Sequence, residues 1–366
     1  MIKHGTKKLL FIVFDGVKNS VFQSQVLQPV LNEIEQNSDL HVTFVSFEKQ
    51  IPKSEEVISI FGKNTQIKPL FFKRYAFWGR ASLTPAILSL KKLFKTADFD
   101  QIIARGPLAG YITLQALAKM KNFSVPITIQ ARGLCAQEYR YADQKKTNPS
   151  IKKFGLKNIL LINLWNKFIF NILQKIESKV YRAQSTDLFN LKIEAVSPAL
   201  KDYLIQEFGA DPVKIIIATN DIPKTIDKHQ AVAWRVQVRD ELNIPDDAVV
   251  YCYSGSFKPW QCAKETIESF SFQYFKDPKS FMLILTQDQE PFKQELERLK
   301  IPESNYRILS VKPQQLSKYL CAANFGFLLR EADVINWVSR PTKMLEYQAC
   351  GLQIIHNNTV AWLAGK

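Results

Sequence analysis

The sequence lacks long apolar runs and is poor in cysteine and histidine. No apolar stretch reaches the roughly 18 residues that a membrane-spanning helix needs, so we expect no such helix. The five cysteines are scattered and no two have CxxC spacing, which predicts reduced, buried thiols in a cytosolic protein. The apolar run at residues 9–14 is too short for a signal peptide and predicts a first buried strand instead.

Acidic residues are also scarce relative to basic ones. The chain has 49 lysines and arginines against 34 aspartates and glutamates, which gives a formal net charge of +15. Such an excess predicts an anionic partner: nucleic acid, an acidic membrane surface or a phosphorylated small molecule. The sequence has no zinc-ligand spacing, no basic tail and no interleaving of basic and aromatic residues, so we predict no nucleic-acid partner.

Short apolar runs alternate with helical patterns along the chain. Strands separated by helices indicate parallel βαβ units with right-handed crossovers, and 366 residues allow two domains. We therefore predict an α/β fold of two facing, Rossmann-like, doubly wound parallel-sheet domains. The first covers residues 1–223, a linker leading into the second covers 224–246, and the second covers 247–366. Ligands would bind beyond the carboxyl ends of the strands, in an interdomain cleft.

The predicted elements are short and regularly spaced. Strands are predicted at residues 9–14, 42–47, 101–104, 127–130, 192–196 and 214–218, and then at 248–253, 281–286, 306–309, 325–329 and 352–356. Helices are predicted at residues 23–35, 83–94 and 110–121, and then at 264–274, 291–300, 314–322 and 342–350. The stretch 220–246 interrupts the alternation and contains a short helical pattern.

A long amphipathic helix is predicted at residues 157–179. Leu161, Trp165 and Phe168 begin an apolar face that continues to Ile176, with polar residues opposite. Residues 145–182 contain nine lysines and arginines, and their only acid is Glu177. Such a helix either packs on the first sheet or lies in an anionic membrane interface, and the two interpretations can hold along different stretches.

The segment 325–356 reads as strand, polar loop, helix, glycine stop and strand. Pro341 opens the helix, so the amides of Thr342 and Lys343 are expected to point freely at its mouth, where the dipole favours an anion. Glu346 lies one turn further on the same side. Amides, a cation and a carboxylate in this order suit a phosphate followed by a sugar with vicinal hydroxyls. The alternative is an ordinary capped helix between two buried strands.

Five motifs in this order resemble one enzyme family over nearly the whole chain: NSVFQSQVLQPV, QARGLCAQEYRY, IEAVSPALKDYLIQEFGADPVKIIIATNDI, YSGSFKPWQ and SRPTKMLEYQACGLQII. They are similar to segments of the family-4 retaining glycosyltransferases (glycosyl transferases group 1), which have the GT-B architecture. The last motif, which resembles the family's donor-site helix, is the most specific. The resemblance implies a nucleotide-diphosphate sugar bound by the C-terminal domain, a glycan or lipid-linked acceptor bound by the N-terminal domain, and no metal.

The resemblance also implies roles for particular residues. Negative charge on the departing diphosphate would be stabilised by Arg330, Lys343 and Lys258. The donor would be bound by Gly255, Ser256, Gln261, Glu331, Ser339, Thr342 and Glu346. The acceptor side would be formed by Asp15, Gly16, Gln25, Arg105, Arg132 and Glu138. Arg132 stands where many relatives have a histidine; a guanidinium does not deprotonate, so we expect it to contact phosphate or acceptor, with Glu138 orienting it or forming a structural pair.

Three departures from the family pattern bear on function. Val338 stands where many relatives have a glutamate that touches the donor sugar, with Glu331 or Asp333 as candidate replacements. Gln261 and Cys262 replace a Lys-Gly pair, which removes one phosphate-binding lysine or moves its role to Lys258 or Lys264. The chain also ends before the C-terminal crossover of the relatives, so we expect that crossover to be missing or shortened.

The leading hypothesis is a metal-independent retaining glycosyltransferase of surface polysaccharide synthesis, cytoplasmic and peripheral on the inner face of the membrane. One alternative is a sugar-nucleotide epimerase on the same architecture, although the four histidines are poorly placed for acid–base work. The other is a degenerate, non-catalytic relative that binds nucleotide or membrane. The loss of the glutamate at Val338 favours this last alternative.

Overall fold

The computed structural model describes residues 6–18, 22–118, 120, 124–146, 156–183, 189–219 and 222–364. The chain divides into two compact units, Met1–Asp221 and Ile222–Lys366, and each is built on a parallel β-sheet. The predicted α/β class with two Rossmann-like parallel-sheet domains is confirmed. None of the helices in the described ranges is long and apolar enough to cross a membrane.

The sheet of the first unit has, within the described ranges, seven strands in the order β3-β2-β1-β4-β5-β6-β7. They are β1 (Lys7–Val13), β2 (Leu40–Glu48), β3 (Ile67–Lys73), β4 (Gln101–Arg105), β5 (Ile127–Ala131), β6 (Leu191–Ala195) and β7 (Ile215–Ile217). The helices of this unit are α1 (Gln28–Gln36), α2 (Ser54–Phe61), α3 (Thr84–Thr96), α4 (Gly106–Leu117), α5 (Cys135–Lys146), α6 (Leu156–Arg182) and α7 (Pro198–Phe208). A π-helical turn, Gln23–Leu27, precedes α1.

The core of the first unit lies on both faces of its sheet. The residues Leu9 to Val13 of β1 are all buried, as expected for an interior parallel strand covered by helices on both sides. Phe22, Phe44 and Phe61 form an aromatic cluster on one face, with ring centroids 5.5–6.0 Å apart. The central strand is thereby fixed, and its carboxyl end is held at a defined edge of the sheet.

The sheet of the second unit has five strands among the described residues, in the order β10-β9-β8-β11-β12. They are β8 (Val249–Ser254), β9 (Ser280–Leu285), β10 (Tyr306–Leu309), β11 (Phe325–Leu328) and β12 (Gln353–His356). The helices are α8 (Lys228–Glu241), α9 (Ala263–Lys276), α10 (Gln289–Arg298), α11 (Leu316–Leu320), α12 (Val334–Trp337) and α13 (Thr342–Ala349).

The stretch 224–246, predicted as a linker with a short helix, is mostly the 14-residue helix α8. Asp227 caps the helix by accepting hydrogen bonds from the amides of His229 and Gln230. Arg239 is buried and donates to the carbonyls of Ala322 and Ala248. Because these partners all belong to the second sheet's surroundings, this stretch is part of the second unit.

The apolar face of the long helix α6 is exposed in the first half of the helix and buried in the second half. In its second half Ile169, Leu173 and Ile176 are buried against the rest of the first unit. In its first half Trp165 and Phe168 are each about half exposed, and their rings contact each other at 5.7 Å. Lys152, Lys153 and the side chain of Lys157, three of the nine basic residues in 145–182, lie outside the described residues.

Candidate functional site

The most unusual side chain at the carboxyl edge of the second sheet is Lys343. It is only 8% exposed although it carries an ammonium group. Its Nζ donates a 2.8 Å hydrogen bond to Oε1 of Gln261 and lies 3.9 Å from the ring centroid of Tyr253. In the described part of the chain it forms no ion pair with a carboxylate. Burial, and to a smaller extent the positive charge of Arg330, hold the pKa of Lys343 well below its usual value.

Topology places Lys343 at the switch point of this sheet. Strand β8 is central, with β9 on one side and β11 on the other, and the loops after β8 and β11 meet at the carboxyl edge. The loop after β8 supplies Gly255, Ser256 and Gln261, and the segment after β11 supplies α13 with Lys343 in its first turn. Two segments that are distant in the sequence therefore meet at this edge of the sheet.

Gly255 allows Lys343 to reach this position. Its φ of +139° is one that other residues rarely adopt, and an added Cβ would lie 2.6 Å from Nζ of Lys343. Three side chains hold Gln261. Its Oε1 accepts hydrogen bonds from Nζ of Lys343 at 2.8 Å and from the hydroxyl of Tyr253 at 3.1 Å, and its Nε2 donates to Oγ of Ser256 at 3.3 Å. The structure thus brings together the predicted residues Gly255, Ser256, Gln261 and Lys343.

Tyr253 is the member of this cluster that sequence reasoning missed. It lies in β8, fully buried, and its hydroxyl is also 2.9 Å from the carbonyl oxygen of Ser256, so its single proton is shared between that oxygen and Oε1 of Gln261. In the sequence it is one aromatic residue in an apolar strand, and nothing in that pattern distinguishes a core tyrosine from one that contacts a buried ammonium. Only the tertiary arrangement gives the signal.

The first turn of α13 adds hydrogen-bond donors beside Lys343. Pro341, predicted at the first helical position, is the N-cap residue, and the helix begins at Thr342. The backbone amides of Thr342 and Lys343 have no acceptor in the described residues, as expected for the first turn of a helix. Glu346 is half-buried one turn on; burial raises its pKa, and the charge of Lys343 partly offsets that rise.

Other predicted donor residues lie in structural roles. Lys258 is exposed and lines a shallow groove with Asp288 and Glu290. Ser339 donates from Oγ to the carbonyl of Asn336 at 2.8 Å, at the end of α12. The side chain of Asp333 caps α12 by accepting from the amide of Ile335 at 2.8 Å, which is the contact that the structure gives to this candidate replacement for the missing glutamate.

Three further positions complete the loop after β11. Arg330 follows the strand, and its backbone exchanges hydrogen bonds with the side chain of Asn357. Its charge acts on Lys343 and also lowers the pKa of Tyr253, although burial of the phenol outweighs this effect. The carbonyl of Glu331 accepts from Nδ2 of Asn336. Val338, which occupies the family's glutamate position, is 1% exposed and packs into the core.

In the first unit, four predicted residues meet at the carboxyl ends of β1 and β4. Asp15, Gly16 and Arg105 line one small cavity, and Nη2 of Arg105 donates to Oε1 of Gln25. Gly16 has a φ of +83°, and an added Cβ would lie 2.6 Å from Oε2 of the buried Glu48.

The remaining two predicted residues lie after β5. Arg132 donates to Oε1 of Glu194 on β6 at 2.6 Å, and both side chains are nearly buried. Glu194 is a partner that the sequence analysis did not name, because it is distant in the chain. Glu138 is an exposed residue of α5, but desolvation of its carboxyl group, followed by the charge of Asp15, raises its pKa. The charge of Asp15 therefore acts on Glu138 at this edge.

A buried glutamate from α6 positions α5. Glu177 accepts hydrogen bonds from the amides of Cys135 and Ala136, at 2.7 and 3.4 Å, so it caps the first turn of α5 from another element. Burial raises its pKa from 4.5 to about 7. Glu177 is thus a structural residue that sets the place of Glu138, one turn further along α5.

No family model matches the chain, and no curated protein matches it. Its fold is shared by solved structures. Sucrose-phosphate synthase from Thermosynechococcus elongatus aligns over 96% of this chain and 81% of that chain, with 12% identity and a TM-score of 0.60. An alpha,alpha-trehalose-phosphate synthase (UDP-forming) from Burkholderia vietnamiensis aligns over 99% and 85%, with 11% identity and a TM-score of 0.59. WaaG, a glycosyltransferase involved in lipopolysaccharide biosynthesis, aligns over 97% and 82%, with 12% identity and a TM-score of 0.58. At these identities the likeness shows a common GT-B fold.

Proposed function

We propose that the chain is a glycosyltransferase that takes a sugar from a nucleotide-diphosphate sugar, with the diphosphate bound beside Lys343. The observation that carries the proposal is a buried ammonium group that contacts a neutral amide oxygen and a tyrosine ring. An uncompensated buried cation is unfavourable, and an anion with several oxygens would relieve that cost. The free amides of Thr342 and Lys343 face the same anion.

The chemistry follows from where charge develops. When the bond between sugar and diphosphate breaks, negative charge grows on the leaving phosphate oxygens. Lys343, the helix amides and Arg330 would stabilise that charge from fixed positions, in a site that is already largely dehydrated. Glu346 would accept hydrogen bonds from the ribose hydroxyls. In this scheme the chain's own residues supply the stabilisation, without a metal, and transfer proceeds with retention, as in the family that the sequence resembles.

The names of the solved structures with this fold support the proposal. WaaG is named as a glycosyltransferase, and the other two are named as synthases of sucrose phosphate and trehalose phosphate. The trehalose-phosphate synthase is named as UDP-forming, and a nucleoside diphosphate is the product that the Lys343 site would hold. We extend the same reaction class to this chain because its second unit offers the matching anion site.

The acceptor is proposed to be a glycan or a lipid-linked sugar bound by the first unit, as part of surface polysaccharide synthesis. The exposed aromatic face of α6, with Trp165 and Phe168, would insert into an anionic membrane surface and keep the protein peripheral on its inner face. Replacing both residues by serine should abolish sedimentation with phosphatidylglycerol vesicles. Phe272→Ser is the control, because Phe272 is an even more exposed aromatic residue and lies on α9. Binding that persists in the α6 variant would contradict the membrane role.

One observation favours a second candidate, a nucleotide-binding relative without turnover. Val338 is buried where many relatives present a carboxylate to the donor sugar, and Asp333 is engaged in capping α12. Binding of diphosphate would then survive while sugar transfer would not. The two candidates differ only in whether diphosphate is released from a nucleotide sugar in the presence of acceptor.

Calorimetric titration with uridine diphosphate, guanosine diphosphate and inorganic pyrophosphate tests the anion site. Lys343→Met keeps the side-chain length and removes the charge, so it should weaken the best ligand about 10- to 100-fold, as expected for charge-assisted hydrogen bonds. Lys276→Met is the control, because Lys276 is an exposed lysine at the end of α9. If Lys343→Met binds the ligand as tightly as the wild type does, the diphosphate does not bind beside Lys343, and the proposed site is wrong. Diphosphate release with a lipid-linked acceptor then separates enzyme from binder.

A further inference from the structure

We propose that Cys321 and Cys350 form a redox-active dithiol pair that closes into a disulfide in the second unit. Cys321 directly follows α11 and Cys350 directly follows α13, so the two thiols come from separate elements. All five cysteines are free thiols in this structure. The inference does not depend on the proposed function.

The carbonyl oxygen of Ser317 shows how close the two cysteines are. It accepts one hydrogen bond from the backbone amide of Cys321, at 3.1 Å, and lies 3.6 Å from the sulfur of Cys350. The side chain of Cys350 therefore lies against the last turn of α11, beside Cys321. Two cysteines placed around one carbonyl oxygen need little movement to form a sulfur–sulfur bond.

The surroundings hold this arrangement in place. Leu320 and Tyr347, which precede the two cysteines in their helices, are fully buried in one apolar cluster. The carbonyl of Ala349, next to Cys350, accepts a 2.8 Å hydrogen bond from the amide of Ile226. Because both helix ends are fixed by packing, the proximity of the two cysteines is a property of the folded unit.

The two sulfurs differ in access and in acidity. Cys321 is 5% exposed, whereas Cys350 is only half-buried, so a small oxidant reaches the pair from the Cys350 side. The hydrogen bond from Cys350 lowers the pKa of Cys321 and raises that of Cys350. Cys321 is therefore the better nucleophile, and Cys350 is the resolving thiol.

The oxidant that suits this geometry is a peroxide. The Cys321 thiolate attacks one oxygen of hydrogen peroxide, the O–O bond breaks, and the other oxygen leaves as water after taking a proton. The sulfur of Cys350 then attacks the resulting sulfenic acid. The S–S bond forms, the S–O bond breaks, and the proton of Cys350 leaves with the second water. Two thiols are oxidised by two electrons in total, and one peroxide is reduced to two waters.

The disulfide would tie the end of α13 to α11. Helix α13 has only eight residues and carries Lys343 in its first turn, so the bond would fix the element that bears the anion site. It would also close a loop that contains β11, α12 and α13, which restricts the unfolded chain and should raise the unfolding midpoint of the second unit.

Peptide mapping of the full chain tests the pair directly. The protein is treated with increasing hydrogen peroxide, remaining thiols are alkylated, and the tryptic peptides are examined by mass spectrometry. We expect a cross-linked pair of peptides containing Cys321 and Cys350, lighter by two hydrogen atoms and separated again by dithiothreitol. Free, alkylated Cys321 and Cys350 after oxidation would overturn the proposal. So would a cross-link to another cysteine, or oxidation of Cys321 to the sulfinic acid without a cross-link.

Single variants sharpen the assignment of roles. In Cys350→Ser the reaction should stop at the sulfenic acid of Cys321, which dimedone traps. In Cys321→Ser neither the dimedone adduct nor the cross-link should form. Cys252→Ser is the matched control; Cys252 is a fully buried cysteine of β8, and its loss should leave the cross-link unchanged. Dimedone labelling at Cys350 instead of Cys321 would contradict the proposed order of attack.

Discussion

The two units place opposite charges at the same topological position. In each, a glycine with positive φ comes shortly after the first strand in the chain, which is an interior strand of the parallel sheet: Gly16 after β1 and Gly255 after β8. A Cβ added at Gly16 would lie 2.6 Å from the carboxylate of Glu48, whereas one added at Gly255 would lie 2.6 Å from the ammonium of Lys343. The same turn therefore presents a carboxylate in one unit and a cation in the other.

The surroundings of these two charges differ as much as their signs. Glu48 accepts hydrogen bonds from the amide of Val17 and the hydroxyl of Ser46, and elsewhere in the same unit Arg132 is paired with Glu194. Lys343 contacts the amide oxygen of Gln261 and the ring of Tyr253. The carboxylate of Glu48 is thus satisfied within the protein, whereas Lys343 contacts only neutral groups here, and in the proposed function its charge would be balanced by a ligand. The shared turn supplies only the position, and the facing side chain sets which ligand charge is favoured.

The largest expected effect is that the stabilities of the two units depend on pH in opposite directions. Burial raises the pKa of Glu177 from 4.5 to about 7, so the native first unit binds more protons than the unfolded chain between these values. Its stability should therefore fall as pH rises through that window, by about 3 kcal/mol from this residue. Glu177→Gln should remove that slope. The lowered pKa of Lys343 gives the second unit a slope of the opposite sign, because the unfolded chain binds more protons between that lowered pKa and pH 10.5.

Hydrogen exchange of β5 and α5, followed from pH 4 to pH 8, measures this slope within the first unit. Glu207→Gln is the control for loss of a carboxylate, because Glu207 is exposed on α7. An identical pH dependence in wild type and Glu177→Gln would contradict the assignment.

Deleting a cation should destabilise the first unit but not the second. Arg132→Met leaves the nearly buried carboxylate of Glu194 without its partner, which should cost about 2–3 kcal/mol in the free energy of unfolding. Lys343→Met orphans no carboxylate, so urea unfolding should show unchanged or slightly higher stability. Adding Glu194→Gln to the Arg132 variant should restore part of the loss in a double-mutant cycle. A large loss of stability in Lys343→Met would show that the lysine is a structural residue.

Substituting the two glycines tests whether only one turn serves a ligand. Gly16→Ala and Gly255→Ala should each cost about 2 kcal/mol of stability, because both backbones have a positive φ. Only the second should also weaken diphosphate binding, because its Cβ displaces the Nζ of Lys343. Calorimetry with uridine diphosphate, together with urea unfolding of both variants, gives the comparison. Equal loss of affinity in both would mean that the turns are not functionally distinct.

The sequence predicted the parts of both units that depend on local pattern. Apolar runs such as β1 and β8 were identified because interior parallel strands are buried on both faces. Helix α13 was identified from Pro341 and Gly351, which bracket it. Strand β3 was missed because Pro69 interrupts its pattern, and the structure places this strand at the edge of the sheet, where a proline is tolerated.

The parts of the site that were missed depend on contacts between distant segments. Glu194 pairs with Arg132 across two strands, and Glu177 caps α5 from another helix. Neither contact leaves a mark on the local sequence, because each carboxylate alone looks like a surface residue. Burial of Lys343 against Tyr253 is of the same kind. Hence the sequence indicated which residues gather in the second unit, and only the structure showed that their charge is unbalanced.

The smallest expected effect divides the anion site into its two proposed halves. Glu346 is half-buried one turn beyond Lys343 and would contact the ribose, not the phosphates. Glu346→Gln should therefore weaken uridine diphosphate by about 1 kcal/mol, roughly five-fold, through the loss of a charge-assisted hydrogen bond. Inorganic pyrophosphate has no ribose, so its affinity should stay the same. Glu265→Gln, an exposed glutamate of α9, should change neither value. If both ligands weaken equally in Glu346→Gln, the carboxylate acts on Lys343 itself, and the ribose contact has to be abandoned.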